Sequence, residues 1–179
     1  MRIIGGAHRG RVLKTFKGTE IRPTSDRARQ AFFNIFADKI IGASFLDGFA
    51  GTGAMGIEAI SRGAKAVTFT DLKRTSVDLI KQNLAMIKEN ATVLACDILS
   101  FLKTTPQRFD FIFLDPPYMT DLGLKALELI DEKPLLNDGG YVILELHEQV
   151  LREFETLEFV ACRDYGKNHF NIYRLKATV

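Results

Sequence analysis

The sequence predicts an α/β fold: a doubly wound, mostly parallel sheet with helices on both faces and an antiparallel hairpin at its end. Three observations predict it. From Ala43 onward, short β-branched or aromatic runs alternate with stretches of helical period, the pattern of a parallel sheet covered on both faces. A glycine-rich turn joins the first such run to the helix after it, as in nucleotide-binding βα units. Near the end, two strand-like runs flank Tyr165-Gly166-Lys167-Asn168, the spacing of a hairpin.

In chain order, residues 2–15 read as two short strands around a Gly-rich turn, a small N-terminal β-hairpin. A helix follows, capped by Thr24 or Ser25. Ala28, Ala31, Phe32, Ile35 and Phe36 form its apolar stripe, with Arg27, Arg29 and Gln30 on the other face. Strands are expected at 44–49, 66–71, 92–97, 109–115 and 141–146, and helices at 54–62, 74–89, 97–103 and 121–132. Val77, Ile80, Leu84 and Ile87 share one face of the 74–89 helix. Pro134 and Gly139-Gly140 close the last helix and turn the chain into the next strand. The final hairpin pairs 159–163 with 169–175.

A chain of 179 residues, 46% hydrophobic and 26% charged, has the size and make-up of one soluble globular domain. No apolar run approaches the ~20 residues that cross a bilayer. The start, Met1-Arg2-Ile3-Ile4-Gly5, lacks the apolar core and cleavage site of a signal peptide. Cys96 and Cys162 are the only cysteines, too few for a disulfide framework, so a reducing cytoplasm is expected. His8, His147 and His169 have no Cys or His at ligand spacing, and no metal is expected. The net charge of +2 conceals an asymmetry: residues 1–30 hold eight basic side chains against Glu20 and Asp26, a local +6 that leaves −4 elsewhere. Clustered cations suit a phosphate backbone; a solvated basic segment explains them equally.

The first candidate site is Phe45-Leu46-Asp47-Gly48-Phe49-Ala50-Gly51-Thr52-Gly53-Ala54-Met55-Gly56, running from strand through turn into helix. Gly51, Gly53 and Gly56 formally satisfy G-x-G-x-x-G, which lets backbone approach a ligand closely. Asp71 closes the next strand, where a carboxylate accepts from ribose hydroxyls. This much suits any adenosine cofactor. Asp47 favours S-adenosylmethionine over a dinucleotide, because a carboxylate repels pyrophosphate and attracts an ammonium or sulfonium. Asp97 ends the third strand, placed to accept from an adenine amino group. Helix capping is the plainer account of each of these three acids.

The second is Asp115-Pro116-Pro117-Tyr118, ending the fourth strand. Two prolines fix φ and remove two donors, leaving carbonyls to point outward unpaired. A carboxylate, a carbonyl and an aromatic ring together suit a flat base bearing an amino group. Asp115 and the Pro116 carbonyl would accept its two hydrogens while Tyr118 stacks on the ring. Accepting both protons favours a pyramidal nitrogen whose lone pair faces the methyl donor, with catalysis by positioning and electrostatics.

With these motifs in place, the chain resembles the RsmD family, the bacterial 16S ribosomal RNA guanine-N2 methyltransferases. The resemblance runs from Met1-Arg2-Ile3-Ile4-Gly5-Gly6 and Arg9-Gly10-Arg11-Val12-Leu13 through Arg22-Pro23-Thr24-Ser25-Asp26-Arg27 with Arg29 and Phe33-Asn34-Ile35. It continues through the glycine loop with Gly56-Ile57-Glu58-Ala59, then Asp115 to Tyr118, and ends at Tyr165-Gly166. It implies a class I S-adenosylmethionine-dependent methyltransferase (Rossmann-like) fold with a seven-stranded sheet. It implies S-adenosylmethionine bound by Asp47, Gly48, Ala50, Gly51, Gly53, Asp71, Asp97 and Ile98, and Asp115, Pro116, Pro117 and Tyr118 as catalytic residues. Asp71 stands where such enzymes often carry Glu, a shorter reach to the ribose.

The implied partner is 16S rRNA in the small ribosomal subunit or an assembly intermediate, met by a monomer. A basic extension over 1–22 would contact RNA ahead of a catalytic domain over 23–179, with Arg9, Arg11, Arg22 and Arg27 toward the substrate. The segment from Arg22 to Arg27 lines the cofactor cleft or the RNA entry, or simply starts a capped helix. Three rivals remain: an adenine-N6 or cytosine-N4 nucleic-acid methyltransferase, an NAD-dependent oxidoreductase, and a non-catalytic assembly factor. The second lacks a Tyr-x-x-x-Lys or placed His for hydride chemistry, and intact Asp71 and Asp115 speak against the third.

Overall fold

The computed structural model describes residues 1–16, 25–150 and 152–177. Lys17, Arg22 and Thr24 lie outside them. The elements are α1 (Asp26–Ile35), α2 (Ala37–Ile40), β1 (Ser44–Asp47), α3 (Ala54–Ser61), β2 (Ala66–Asp71), α4 (Arg74–Ile87), β3 (Thr92–Ala95), α5 (Ile98–Thr104), β4 (Phe109–Leu114), α6 (Leu122–Glu132), β5 (Leu136–Leu146), β6 (Leu157–Tyr165) and β7 (Asn168–Leu175). The strands form one seven-stranded sheet in the order β3-β2-β1-β4-β5-β7-β6. β1 to β5 run parallel, and β7 lies antiparallel between β5 and β6. From β1 the chain winds outward to β2 and β3, then returns to lay β4 on the other side of β1. That reversal opens a crevice at the carboxyl ends of β1 and β4, where open α/β sheets bind ligands.

Strand alternation sorts the apolar residues onto two faces. On one, Phe45, Phe69, Phe111, Phe113 and Ile143 pack with Phe32 and Phe33 of α1 and Ile80 and Leu84 of α4. Phe32 meets Phe33, Phe113 and Phe170 edge-on at centroid distances of 4.8, 5.7 and 6.1 Å, the arrangement the ring quadrupole favours. On the other, Leu46, Ile112, Leu114, Val142 and Leu144 pack with Ile98 and Leu102 of α5 and Leu127 and Ile130 of α6. No helix among the described residues is long and apolar enough to cross a membrane.

Three expectations are revised. Ser25 caps α1, accepting from the Ala28 amide at 3.1 Å, but the buried face of α1 is rotated from the expected stripe. Ile35 is 47% exposed whereas Arg29, expected outside, is 1% exposed. Arg29 tolerates burial because Asp26 (2.9 Å) and the buried Glu58 of α3 (3.6 Å) face its guanidinium. Second, the N-terminal segment folds back on itself as a short hairpin around one antiparallel bridge, Arg2 to Val12, with the Ile3 amide donating to the Arg11 carbonyl (3.0 Å) and the Leu13 amide to the Met1 carbonyl (2.8 Å), rather than as two full strands. Other groups of the segment bond to the body. Ile4 and Gly5 amides donate to the Glu58 carboxylate (2.9 and 2.8 Å), His8 to Ser61 Oγ (2.9 Å) and Lys14 to Asn83 Oδ1 (2.8 Å). Third, β5 begins at Leu136, before the two glycines expected to precede it, and its register against β4 shifts across them.

Candidate active site

The glycine loop is built from both sides of β1. The Gly48 amide donates to the Phe113 carbonyl of β4 (2.9 Å), and the Ala50 amide to the Thr70 carbonyl of β2 (3.0 Å). A side chain at Gly48 would place its Cβ 2.7 Å from Leu114 Cδ2 and 3.3 Å from Ile98 Cδ1. Ile98 is therefore packing beneath the loop through its side chain. Gly51 and Gly53 take left-handed φ values of 55° and 78°, which L-residues adopt at a cost. Gly56 lies inside α3, where a Cβ would stand 2.2 Å from the Phe69 ring. It brings helix and strand together rather than cradling a ligand.

Asp47, at the end of β1, is 3% exposed. Its Oδ2 accepts from the Gly56 amide at 2.9 Å. Burial pushes its carboxyl up to about 7; the Gly56 bond opposes this and Asp71 adds to it. Asp71 braces the loop, Oδ2 accepting from the Gly51 amide (2.8 Å) and Oδ1 from the Lys73 amide (2.8 Å). Asp97 caps α5: Oδ2 accepts from the Ser100 amide (2.8 Å) and hydroxyl (3.0 Å). The plainer reading of this acid accounts for that oxygen, and Oδ1 carries none of these bonds.

Asp115 continues β4 beside this loop. Burial holds its carboxyl well above the usual carboxylate range, reinforced by Glu145 and then Asp47. Pro116 is buried, while Pro117 and Tyr118 are exposed. Pro116 Cγ lies 2.8 Å from where a Gly123 Cβ would stand, so α6 presses on the turn. Of the two proline carbonyls expected to be free, Pro117's accepts from Thr120 Oγ1 at 2.8 Å. The Tyr118 ring meets His147 edge-on at 4.8 Å. His147 Nδ1 donates to the Lys167 carbonyl (2.8 Å), a bond only the protonated nitrogen can make.

Parity and register put the acids in a row. Asp47 shares its face with Phe45, Asp71 with Phe69 and Asp115 with Phe113. Glu145 of β5 joins them: it shares a face with Ile143 and Tyr141, and the register Leu114↔Leu144 carries it opposite Asp115. In sheet order, Asp71, Asp47, Asp115 and Glu145 line the carboxyl edge. Glu145 and His147 were not anticipated. A lone acid inside the apolar run Tyr141–Leu146 was the available signal.

Of the basic candidates, the Arg9 turn stands apart from this row. Arg9, Arg11 and Arg27 are exposed, and Arg22 lies outside the described residues. The turn bearing Arg9 docks on the C-terminal ends of α3 and α4, through Ala7 to the Ser61 carbonyl (2.7 Å) and His8 to Glu89 (2.7 Å). Those helix ends point away from the carboxyl edge. Two surface concavities also lie elsewhere, one around Lys39, Asp110 and Tyr141 at the amino ends of the strands, one around Arg2, Arg9 and Gln30. The β6–β7 hairpin brings Cys162, Asp164 and His169 onto one face, with ligand atoms within 4.8 Å of one another. Linear spacing hid this cluster, since cross-strand pairing of Asp164 with His169 creates it.

Strand order, glycine loop and acidic carboxyl edge together define a class I methyltransferase fold. A family model described as conserved hypothetical protein 95 matches residues 1–174. Ribosomal RNA small subunit methyltransferase D of Haemophilus influenzae is 39% identical over 150 residues, covering 81% of this chain and 78% of that one. Its namesake in Escherichia coli K12 is 37% identical over 146 residues, covering 81% and 74%. The solved structure of Escherichia coli yhhF superposes with a TM-score of 0.90 at 32% identity, covering 99% of each chain. The chain belongs to this family, the RsmD family.

Proposed function

We propose that this protein transfers a methyl group from S-adenosylmethionine to the exocyclic N2 of a guanine in 16S rRNA, within the small ribosomal subunit or an assembly intermediate. One observation carries the reading: the glycine loop and the Asp115 turn share one crevice, tied together by the Gly48–Phe113 bond. Names of relatives supply the small-subunit RNA.

The residues fit the donor. A carboxyl as strongly desolvated as Asp47 gains from a neighbouring cation, which returns it to its ionised form. Asp71 keeps lone pairs for ribose hydroxyls beyond its two amide bonds, and Asp97 keeps Oδ1 for an adenine amino group. When bound, S-adenosylmethionine supplies an electrophilic methyl on a sulfonium.

The chain's own residues do the rest. Asp115 and the Pro116 carbonyl accept the two amino hydrogens and orient the nitrogen lone pair. A methyl group passed to this nitrogen from the sulfonium would leave the amine acidic, with a proton to lose. Asp115, with its raised proton affinity, receives it. Tyr118, braced by His147, offers an aromatic surface to the base. Arg9, Arg11, Arg22 and Arg27 meet phosphates over a wider footprint, with residues 1–22 as the RNA-contacting extension of a monomer.

Purified protein should transfer labelled methyl to small subunits and yield N2-methylguanosine on nucleoside analysis. N6-methyladenosine or N4-methylcytidine would replace the substrate assignment. Asp115→Ala should keep cofactor binding and lose at least ~100-fold in turnover; normal turnover would misplace the active site.

A further inference from the structure

We propose that Glu145 determines base specificity in this site by accepting the N1–H of guanine while Asp115 and the Pro116 carbonyl hold the N2 amino group. The inference rests on the methyltransferase reading above and adds a residue to it. Glu145 is 4% exposed, next to the last residue of β5, after the apolar run Tyr141–Leu144. An acid there is costly to bury, and the fold retains it on the face and at the level of Asp115. The side-chain amide of Asn168, at the turn into β7, donates to its Oε1 and fixes its orientation. The two carboxyls are close enough for each other's charge to matter.

The chemistry of the three bases then decides. Guanine presents three hydrogens along this edge, one on N1 and two on N2. The site offers three acceptors in Glu145, Asp115 and the Pro116 carbonyl. Adenine and cytosine present an amino group beside a ring nitrogen with a lone pair, which would face the Glu145 carboxylate. A buried acceptor set against a lone pair loses a hydrogen bond and adds repulsion, the arrangement by which sites reject analogues most strongly. Asn168 is the matching positioning residue, acting through Glu145.

The test uses small subunits and a short RNA carrying either guanine or 2-aminopurine at the methylated position. 2-Aminopurine keeps the amino group but replaces N1–H with a lone pair. Wild type should favour guanine by about 100-fold in kcat/KM. Glu145→Gln should lower that preference at least tenfold while its affinity for S-adenosylmethionine, by titration, stays within about twofold. Asn168→Ala should lower it in the same direction by less, and carries the test if Glu145→Gln does not fold. An unchanged preference in a folded Glu145→Gln, or in Asn168→Ala when only that variant folds, overturns the role of Glu145 and leaves the methyltransferase reading standing. Failure of the wild type to methylate guanine overturns both.

Discussion

Asp47→Asn separates what this carboxyl costs the fold from what it contributes to the site. In the folded chain Asp47 holds its proton up to about 7, against 3.8 unperturbed. A raised carboxyl means the native state binds more protons than the unfolded state between these values, so stability falls as pH rises through the window. At 1.36 kcal/mol per unit the full cost is about 4 kcal/mol, of which about 2–3 kcal/mol falls between pH 5 and pH 8. Asparagine keeps an oxygen for the Gly56 amide and cannot ionise. Urea denaturation of the ligand-free protein at pH 5 and pH 8 should show wild type losing about 2–3 kcal/mol more than Asp47→Asn over that interval. The same variant should bind S-adenosylmethionine on the order of tenfold more weakly at pH 8, having no charge to offer its cationic groups. Identical pH slopes in the two proteins would refute the desolvation argument.

Other predictions follow from packing and charge. Gly56→Ala drives a methyl into the Phe69 ring and should cost about 1–3 kcal/mol in a denaturant melt. Glu58→Ala removes the buried one of Arg29's two acidic partners and releases the Ile4 and Gly5 amides; a loss of about 3 kcal/mol is expected. Limited proteolysis should then cut within the N-terminal segment before the sheet. Asp115→Ala relieves repulsion with Glu145 and Asp47, so the ligand-free variant should melt at or above the wild-type temperature at pH 8 even as turnover falls.

What was legible in the sequence was whatever depends on local pattern. β2 occupies 66–71 as expected, a β-branched and aromatic run closed by Asp71. Ser25 announced α1, and Asp115-Pro116 ended β4 where proline removes the donors a parallel neighbour needs. The rest depended on contacts far along the chain. Arg29 reads as solvent-facing until Glu58, twenty-nine residues on, is brought against it. Glu145 reads as an interruption in a strand until register sets it opposite Asp115. Cys162 and His169 look unrelated until the hairpin closes. The three acids assigned to the cofactor were visible, and so was the capping role that Asp97 takes toward Ser100, but the bonds of Asp47 to Gly56 and of Asp71 to Gly51 were not; each acid also braces the backbone around the crevice.

Mass spectrometry of small-subunit rRNA from cells with and without this gene, position by position, reaches the central claim most directly. Deletion should erase the methyl from N2 of one guanine, restored by the wild-type gene and not by Asp115→Ala. If every guanine keeps its methylation state when the gene is removed, a methyl-transfer crevice serving guanine is the wrong account of this protein.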